Sequence, residues 1–277
     1  MSIRPASLWL ALSVQWDECS VALAADDPID APIDELRVRD AAHASRQALA
    51  MIDRLLQARA SSLAEVAGLC FARGPGAFTS LRVAAGLVQG LALALDRPVA
   101  GICSLAALAA GSARWRAAGS EGEWLQLAAL DARMGEVYYG VQRCAPGRYP
   151  VTVAAPAVGD AAAAIACFER TAAATALPLE CAGSGFAALA ALADWGRVHA
   201  ATLAADRAPW ARSVLALARS GGAPVAGPAA TAQPVYVRDK IALDVAEQAA
   251  ARAARAAGAV PSRLAGSAAP ESAAASE

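Results

Sequence analysis

Histidine is scarce in this sequence, and closely spaced histidines are missing. The chain of 277 residues contains only His43 and His199, and neither an H-x-x-x-H nor an H-E-x-x-H arrangement occurs in it. Zinc hydrolases hold their metal with such neighbouring side chains. The sequence therefore argues against a zinc hydrolase, and we expect His43 to be a solvated residue in the first turn of a helix rather than a metal ligand.

Paired cysteines and an excess of one charge are also missing. Six scattered cysteines without a C-x-x-C pair indicate buried, reduced thiols in a cytoplasmic protein; they are Cys19, Cys70, Cys103, Cys144, Cys167 and Cys181. Lysine and arginine number 24 against 25 acidic residues, which gives a net charge of −1. A nearly neutral chain has no basic field for nucleic acid. If the protein acts on RNA, we expect a partner to supply most of the electrostatic attraction.

Uninterrupted apolar runs are too short to span a bilayer, which takes about 18 residues. The longest runs, residues 83–95 and 98–113, are separated by Asp96 and Arg97. Residues 8–14 faintly resemble the apolar part of a signal peptide. However, the charged residues Asp17 and Glu18 lie between this run and the sequence that resembles a cleavage site, where a signal peptide should be uncharged. Much of the 57% hydrophobic content is alanine. We therefore expect a cytoplasmic protein of closely packed helices, without a membrane segment.

Short apolar strands alternate with helices along the chain. Strands are predicted at residues 8–14, 19–24, 33–38, 67–72, 99–102, 124–130 and 136–143. Helices are predicted at residues 41–59, 81–95, 160–169, 186–192 and 209–220, with Asp40 and Ser104 as expected caps. A turn at residues 131–135 joins two strands into a hairpin, and its charges suit either turn chemistry or a contact surface. Two successive mixed blocks predict two α/β lobes.

The most distinctive segment lies between a strand and a helix and reads Arg-Gly-Pro-Gly-Ala-Phe-Thr-Ser-Leu-Arg over residues 73–82. Two glycines around a proline form a stiff turn, and free N–H groups at the following helix start can hold an anion. No Lys-Ser/Thr pair follows, so this is not a Walker loop. The turn has two possible roles: it only directs the helix away from the sheet, or it lies next to a nucleotide. The candidate residues for a nucleotide-proximal loop are Arg73, Gly74, Pro75, Gly76 and Thr79. Thr79 is also the expected N-cap of the helix.

The same segment resembles the Gly-Pro-Gly-Ser-Phe-Thr-Gly-Leu-Arg signature of the bacterial TsaB (YeaZ, glycoprotease-like) family. Four further stretches match that family in order, at residues 18–23, 90–98, 130–139 and 234–240. The resemblance covers roughly residues 8–243. It implies an α/β protein with the two-lobed actin-like ATPase (RNase H-like) fold, in which mixed sheets are flanked by helices.

The resemblance also implies a function. TsaB proteins are non-catalytic subunits that support the enzyme TsaD as it forms threonylcarbamoyladenosine beside the tRNA anticodon, and a small ATPase, TsaE, joins the complex. The implied protein is cytoplasmic, has no cofactor or catalytic metal, and contacts tRNA only through the complex. TsaB proteins pair with TsaD, and also with themselves, through helices of the first lobe.

Two helices carry patterns that could serve such pairing. The first has a stripe two apolar residues wide, and the second has small residues every four positions, which let another helix approach closely. The alternative is that both helices are wholly internal. The candidate interface residues are Ala48, Met51, Ile52, Leu55, Arg82, Val83, Gly86, Leu87 and Gly90.

One departure from the family pattern bears on catalysis. TsaB proteins and actin-like kinases have an aspartate at the first turn, and Ser13 stands there in this chain. A neutral serine cannot supply the charge that Mg²⁺ needs. Two alternatives nevertheless stay open, a glycopeptidase-like hydrolase and an actin-like small-molecule kinase.

The expected domain division follows the two blocks. Residues 1–102 form the first lobe, residues 103–219 form the second, and residues 220–245 pack back on the first. Beyond residue 246 the composition is Ala, Arg, Ser, Gly and Pro. Such a segment offers too little apolar surface to offset its ordering entropy, so we expect it to be largely disordered.

Overall fold

The computed structural model describes residues 7–16, 18–26, 31–39, 47–116 and 122–238. The expected cap at Asp40, the residue His43 and the tail beyond residue 246 lie outside the described residues.

The first sheet has five strands in the order β3-β2-β1-β4-β5. Strands β1 (Leu8–Val14), β2 (Glu18–Ala25) and β3 (Asp34–Arg39) are antiparallel, whereas β4 (Val66–Gly74) and β5 (Val99–Cys103) run parallel to β1. The central strands are almost continuously apolar because helices cover both faces. Helices α1 (Ala48–Ala58) and α2 (Phe78–Leu95) pack on one face, and α3 (Ser104–Ala110) and α8 (Ala211–Ala218) pack on the other.

The second sheet repeats this arrangement. Strands β6 (Trp124–Arg133), β7 (Glu136–Cys144) and β8 (Val151–Gly159) are antiparallel, and β9 (Leu179–Ala182) and β10 (Thr202–Ala204) add parallel strands on the other side of β6. Helices α5 (Ala161–Ala172), α6 (Gly185–Ala188) and α7 (Ala190–His199) accompany this sheet, and the short α4 (Ala113–Arg116) follows α3. Two sheets of the same strand order, each flanked by helices, form the actin-like (RNase H-like) fold that the resemblance implied.

Helix α3 is completely buried and consists of alanine and leucine after its first residue. It packs against α8 and also against β6, so it contacts both the first-sheet and the second-sheet cores. Helix α8 falls in the range expected for the second lobe, yet Val214, Leu215 and Leu217 lie in the core of the first sheet. The lobe boundaries at residues 102 and 219 remain a prediction. The packing of α8 groups this helix with the first sheet.

Several local expectations were wrong. Thr79 lies inside the first turn of α2, whose N-cap is Ala77, and Ser104 begins α3 after the N-cap Cys103. The helix expected at residues 186–192 is two helices, α6 and α7, separated at Leu189. Strands β8, β9 and β10 were not predicted, because β8 is alanine-rich and the other two are too short to show a period.

Residues 232–238 form an extended segment that contacts elements of both sheets, and we call this segment the strap. The Gln89 side chain donates a hydrogen bond to the Ala232 carbonyl (3.0 Å), and Val235 N–H donates to the Arg73 carbonyl (2.7 Å). At its other end, Arg238 forms an ion pair with Glu136 of β7 (2.7 Å). The strap therefore links the start of α2 with the β6–β7 hairpin.

Candidate functional site

The apolar stripe of α1 is sealed inside the protein. Ala48, Met51, Ile52 and Leu55 are between 0 and 5% exposed and pack in the core under the first sheet. The sequence pattern predicts a partner interface for these four residues, and their burial shows that this prediction is wrong. The physical reason is that the sheet is wide enough to cover both rows of the stripe. The outward side of α1 is mixed, with Leu49 53% exposed next to charged residues.

The corresponding ridge of α2 is open. Arg82, Gly86 and Gly90 point outward, and a Cβ atom added to either glycine would meet no atom within 4 Å. We call these three residues the α2 ridge. The opposite side of α2 carries Leu81, Ala84, Val88 and Ala92 into the core.

Further apolar surface flanks the α2 ridge. Val83 and Leu87 are half-buried beside it, and Leu93 near the end of the helix is 78% exposed. By length and composition α2 could also cross a membrane, a test that buried core helices pass as well. The structure thus leaves these five expected interface residues, from Arg82 to Gly90, at least partly accessible.

An aromatic cluster fixes the N-terminal end of the α2 ridge. The Arg82 guanidinium lies 3.8 Å from the centre of the Phe78 ring, and its Nε–H donates to the Tyr236 hydroxyl (3.1 Å). The Phe78 and Tyr236 rings are 4.9 Å apart. These contacts hold the Arg82 side chain in place where the α2 ridge meets the strap. Sequence reasoning missed Tyr236, although the matched stretch at residues 234–240 contained it.

A small cleft lies where the first turn approaches the β6–β7 hairpin. It has a volume of about 150 Å³, and Gln15, Trp16, Gly76, Asp131 and Arg133 are among its lining residues. The Trp16 indole N–H donates across the cleft to the Asp131 carbonyl (3.1 Å), and the Arg133 guanidinium lies 5.1 Å from the Trp16 ring centre. The Asp131 carboxylate accepts the Arg133 backbone N–H (2.7 Å), which is the turn role considered from the sequence, and a contact surface at this hairpin stays a prediction.

The five candidate loop residues do not converge on this cleft. Gly76 lines it, whereas Arg73 extends over Gly101 of β5 and Thr79 is exposed on α2. Gly74 has a φ of +122°, a conformation that only glycine adopts readily. Pro75 is buried next to it. The loop therefore shapes the chain between β4 and α2, and only Gly76 contributes directly to the cleft wall.

The thiols show no sign of a nucleophilic centre. Burial raises the pKa of Cys19 to about 11 and the pKa of Cys181 to about 12, so both stay protonated at neutral pH. Burial also raises the pKa of Cys70 and Cys144. In the part of the chain that the structure describes, no three histidine, cysteine or acidic side chains lie close enough together to hold a metal.

Comparison with known proteins decides the family. Residues 39–195 match the family model described as "TsaD: tRNA N6-adenosine threonylcarbamoyltransferase". The solved structure of YeaZ from Pseudomonas aeruginosa is 33% identical, with a TM-score of 0.64 over 83% of this chain and 99% of that chain. The chain belongs to the TsaB (YeaZ) family. A second solved structure, of a protein similar to peptidase YeaZ from the same organism, matches with 33% identity and a TM-score of 0.65 over 84% of this chain and 100% of that one.

Curated TsaB proteins match over a shorter stretch. The tRNA threonylcarbamoyladenosine biosynthesis protein TsaB of Escherichia coli K12 is 40% identical over 130 residues, which are 47% of this chain and 52% of that protein. The Haemophilus influenzae TsaB is 42% identical over 130 residues, 47% of this chain and 51% of that protein. The match thus spans about half the length of these relatives. Membership in the TsaB family, expected from the motifs, is confirmed.

Proposed function

We propose that this protein is a non-catalytic subunit that docks the α2 ridge on a TsaD-like catalytic subunit, for threonylcarbamoyladenosine modification of tRNA beside the anticodon. The relatives' names supply the process. The observation that carries the docking role is the open surface above Gly86 and Gly90. The proposal includes a cytoplasmic location, a TsaE-like ATPase in the complex, tRNA contact only through the complex, and self-pairing through the same face.

The α2 ridge suits a helix of a partner for a physical reason. Two glycines one turn apart expose the helix backbone, so a second helix can approach more closely than over larger side chains. Half-buried Val83 and Leu87 then gain additional burial beside that contact. A stable interface of this kind buries about 1,200–2,000 Å² in total. The ridge would form its centre, with Leu93 and the Arg82 cluster towards its two ends.

The cleft supports a subunit without catalysis of its own. A volume of about 150 Å³ is below the roughly 300–1,000 Å³ of typical small-molecule sites. Trp16 bridges the two walls, and the neutral Ser13 stands where actin-like kinases have an aspartate. These features weigh against the kinase alternative, and the raised thiol pKa values weigh against a cysteine nucleophile for the hydrolase alternative.

The docking face is tested by replacing Gly90 with leucine. The added side chain points into open space in the isolated protein, so the fold is expected to persist while close helix approach is blocked. Co-purification with the TsaD-like protein of the same organism should be lost. The matched control is Ala162→Leu on the exposed side of α5, which should leave pairing intact. Pairing by Gly90→Leu at the wild-type level would show that another face docks.

The absence of independent catalysis is tested separately. Purified protein is incubated with tRNA and threonylcarbamoyl-adenylate, with and without the TsaD-like protein, and the modified nucleoside is measured. Product is expected only when the TsaD-like protein is present. Robust product from this chain alone would refute the non-catalytic role while leaving the docking test unaffected.

A further inference from the structure

The strap holds a tyrosine against the start of α2. The residue before it, Val235, donates its backbone N–H to the Arg73 carbonyl (2.7 Å). The centres of the Tyr236 and Phe78 rings are 4.9 Å apart. Two residues further along, Arg238 forms its ion pair with β7. Tyr236 is therefore fixed from both sides along the chain, although it is 40% exposed.

This tyrosine in turn holds an exposed arginine in one arrangement. The Arg82 Nε–H donates to the Tyr236 hydroxyl (3.1 Å), and the guanidinium lies 3.8 Å from the centre of the Phe78 ring. An arginine on a protein surface ordinarily keeps most of its rotamer freedom and loses it only on binding. Here the hydroxyl and the Phe78 ring restrict that freedom before a partner is present.

The fixed guanidinium has unused donors and no carboxylate. Among the residues that the structure describes, only Nε of the Arg82 side chain donates a hydrogen bond, and no ion pair includes Arg82. Other arginines that are held in place have carboxylate partners, Asp34 for Arg59 and Glu180 for Arg207. Arginine is enriched at the centres of binding energy in protein interfaces, where the partner supplies the acceptor.

The position of Arg82 decides which acceptor can reach it. Arg82 is the first residue of the α2 ridge, one turn before Gly86 and two turns before Gly90, and each turn adds about 5–6 Å along the helix axis. A partner helix that covers both glycines for a few turns therefore passes beside the guanidinium. An acidic side chain on that helix is the acceptor that fits this place.

We infer that Arg82, held by Phe78 and Tyr236, pairs with an acidic side chain of the TsaD-like partner. The inference rests on the docking role proposed above and names the chemistry of one contact in it. Glycines alone let a partner helix slide along the ridge, whereas a guanidinium and a carboxylate joined by two parallel hydrogen bonds fix its register. Arg82 makes the contact, and Tyr236 is a positioning residue that acts through Arg82.

The ion pair is tested by titration calorimetry with the TsaD-like protein of the same organism at several salt concentrations. Arg82→Ala should weaken binding by about tenfold, and it should flatten the dependence of affinity on salt because salt screens charged contacts. Arg82→Lys keeps the charge without the planar donors and should retain part of the affinity. The matched control Arg170→Ala, on the exposed side of α5, should bind like wild type. Thermal unfolding verifies that each variant is folded.

The positioning role of Tyr236 is tested by a double-mutant cycle. Tyr236→Phe removes only the hydroxyl and should weaken binding by roughly two- to tenfold, because the freedom that Arg82 regains must be lost again on binding. In the Arg82→Ala background the same change should have almost no effect, because its effect passes through Arg82. A merely structural role of the hydroxyl would give the same loss in both backgrounds.

Three results would overturn the inference. They are wild-type affinity of Arg82→Ala, a loss of affinity in Arg82→Ala with an unchanged salt dependence, and an equal effect of Tyr236→Phe in both backgrounds. All three presuppose that the wild-type protein binds the TsaD-like protein. If it does not bind, the docking proposal itself fails, and this inference fails with it.

Discussion

Helices α1 and α2 cover the same face of the first sheet, yet they present opposite surfaces. The stripe of α1 is buried, with Met51, Ile52 and Leu55 at most 5% exposed, whereas the ridge of α2 is open above Gly86 and Gly90. The comparison teaches that large apolar residues in a wide stripe indicate core packing. Small residues at four-residue spacing on an outward row leave room for a partner.

The difference follows from what each surface can gain by burial. A leucine or isoleucine side chain gains about 1.5–3 kcal/mol when it leaves water, so the sheet covers all of the α1 stripe that it can reach. A glycine has no side chain and gains little from the protein's own core. Its effect is on how closely another helix can approach, which matters only when a second helix is present.

The largest expected effect is a loss of stability when a side chain in the buried stripe of α1 is truncated. Leu55→Ala should lower the free energy of unfolding by about 2–5 kcal/mol, because it leaves a cavity among closely packed side chains. Chemical denaturation measures the change. Leu49→Ala, on the exposed side of the same helix, is the control and should change stability by no more than about 0.5 kcal/mol. Similar losses for the two variants would contradict the burial of the stripe.

A smaller loss of stability is expected when Gly74, the last residue of β4, is replaced. In Gly74→Ala the new Cβ would lie 2.4 Å from the Val235 carbonyl oxygen, at a backbone φ of +122°. Such a conformation costs a residue other than glycine about 1–3 kcal/mol, and the strap must also move. Denaturation of this variant should therefore occur at a lower denaturant concentration. Unchanged stability would mean that the strap does not press against this turn.

The smallest expected effect has the opposite sign. Gly86→Ala adds a methyl group in open space and favours the helix by about 0.5–1 kcal/mol, because alanine loses less backbone entropy than glycine. The isolated protein should become slightly more stable, while its affinity for a TsaD-like partner should fall. Titration calorimetry with that partner measures the affinity, and a second denaturation series measures the stability. A loss of stability would show that the ridge is already covered.

Sequence reasoning found most strands of the first sheet because their apolar runs are bounded by clear breaks. It also found the β6–β7 hairpin, because the charged turn at residues 131–135 clearly separates the two strands. It missed β9 and β10, whose three or four residues show no period. It also assigned Met51 and Ile52 to an interface, since a helical period shows which residues share a face and not what covers that face.

The sequence by itself determined the family, the two-block α/β pattern and the glycine spacing of α2, because each of these depends on residues near one another in the chain. Only the tertiary structure decided that α1 is sealed, that Trp16 reaches Asp131 across the cleft, and that the Arg73 side chain lies over Gly101. These features arise from contacts between residues that are distant in sequence, and local spacing carries no information about such contacts.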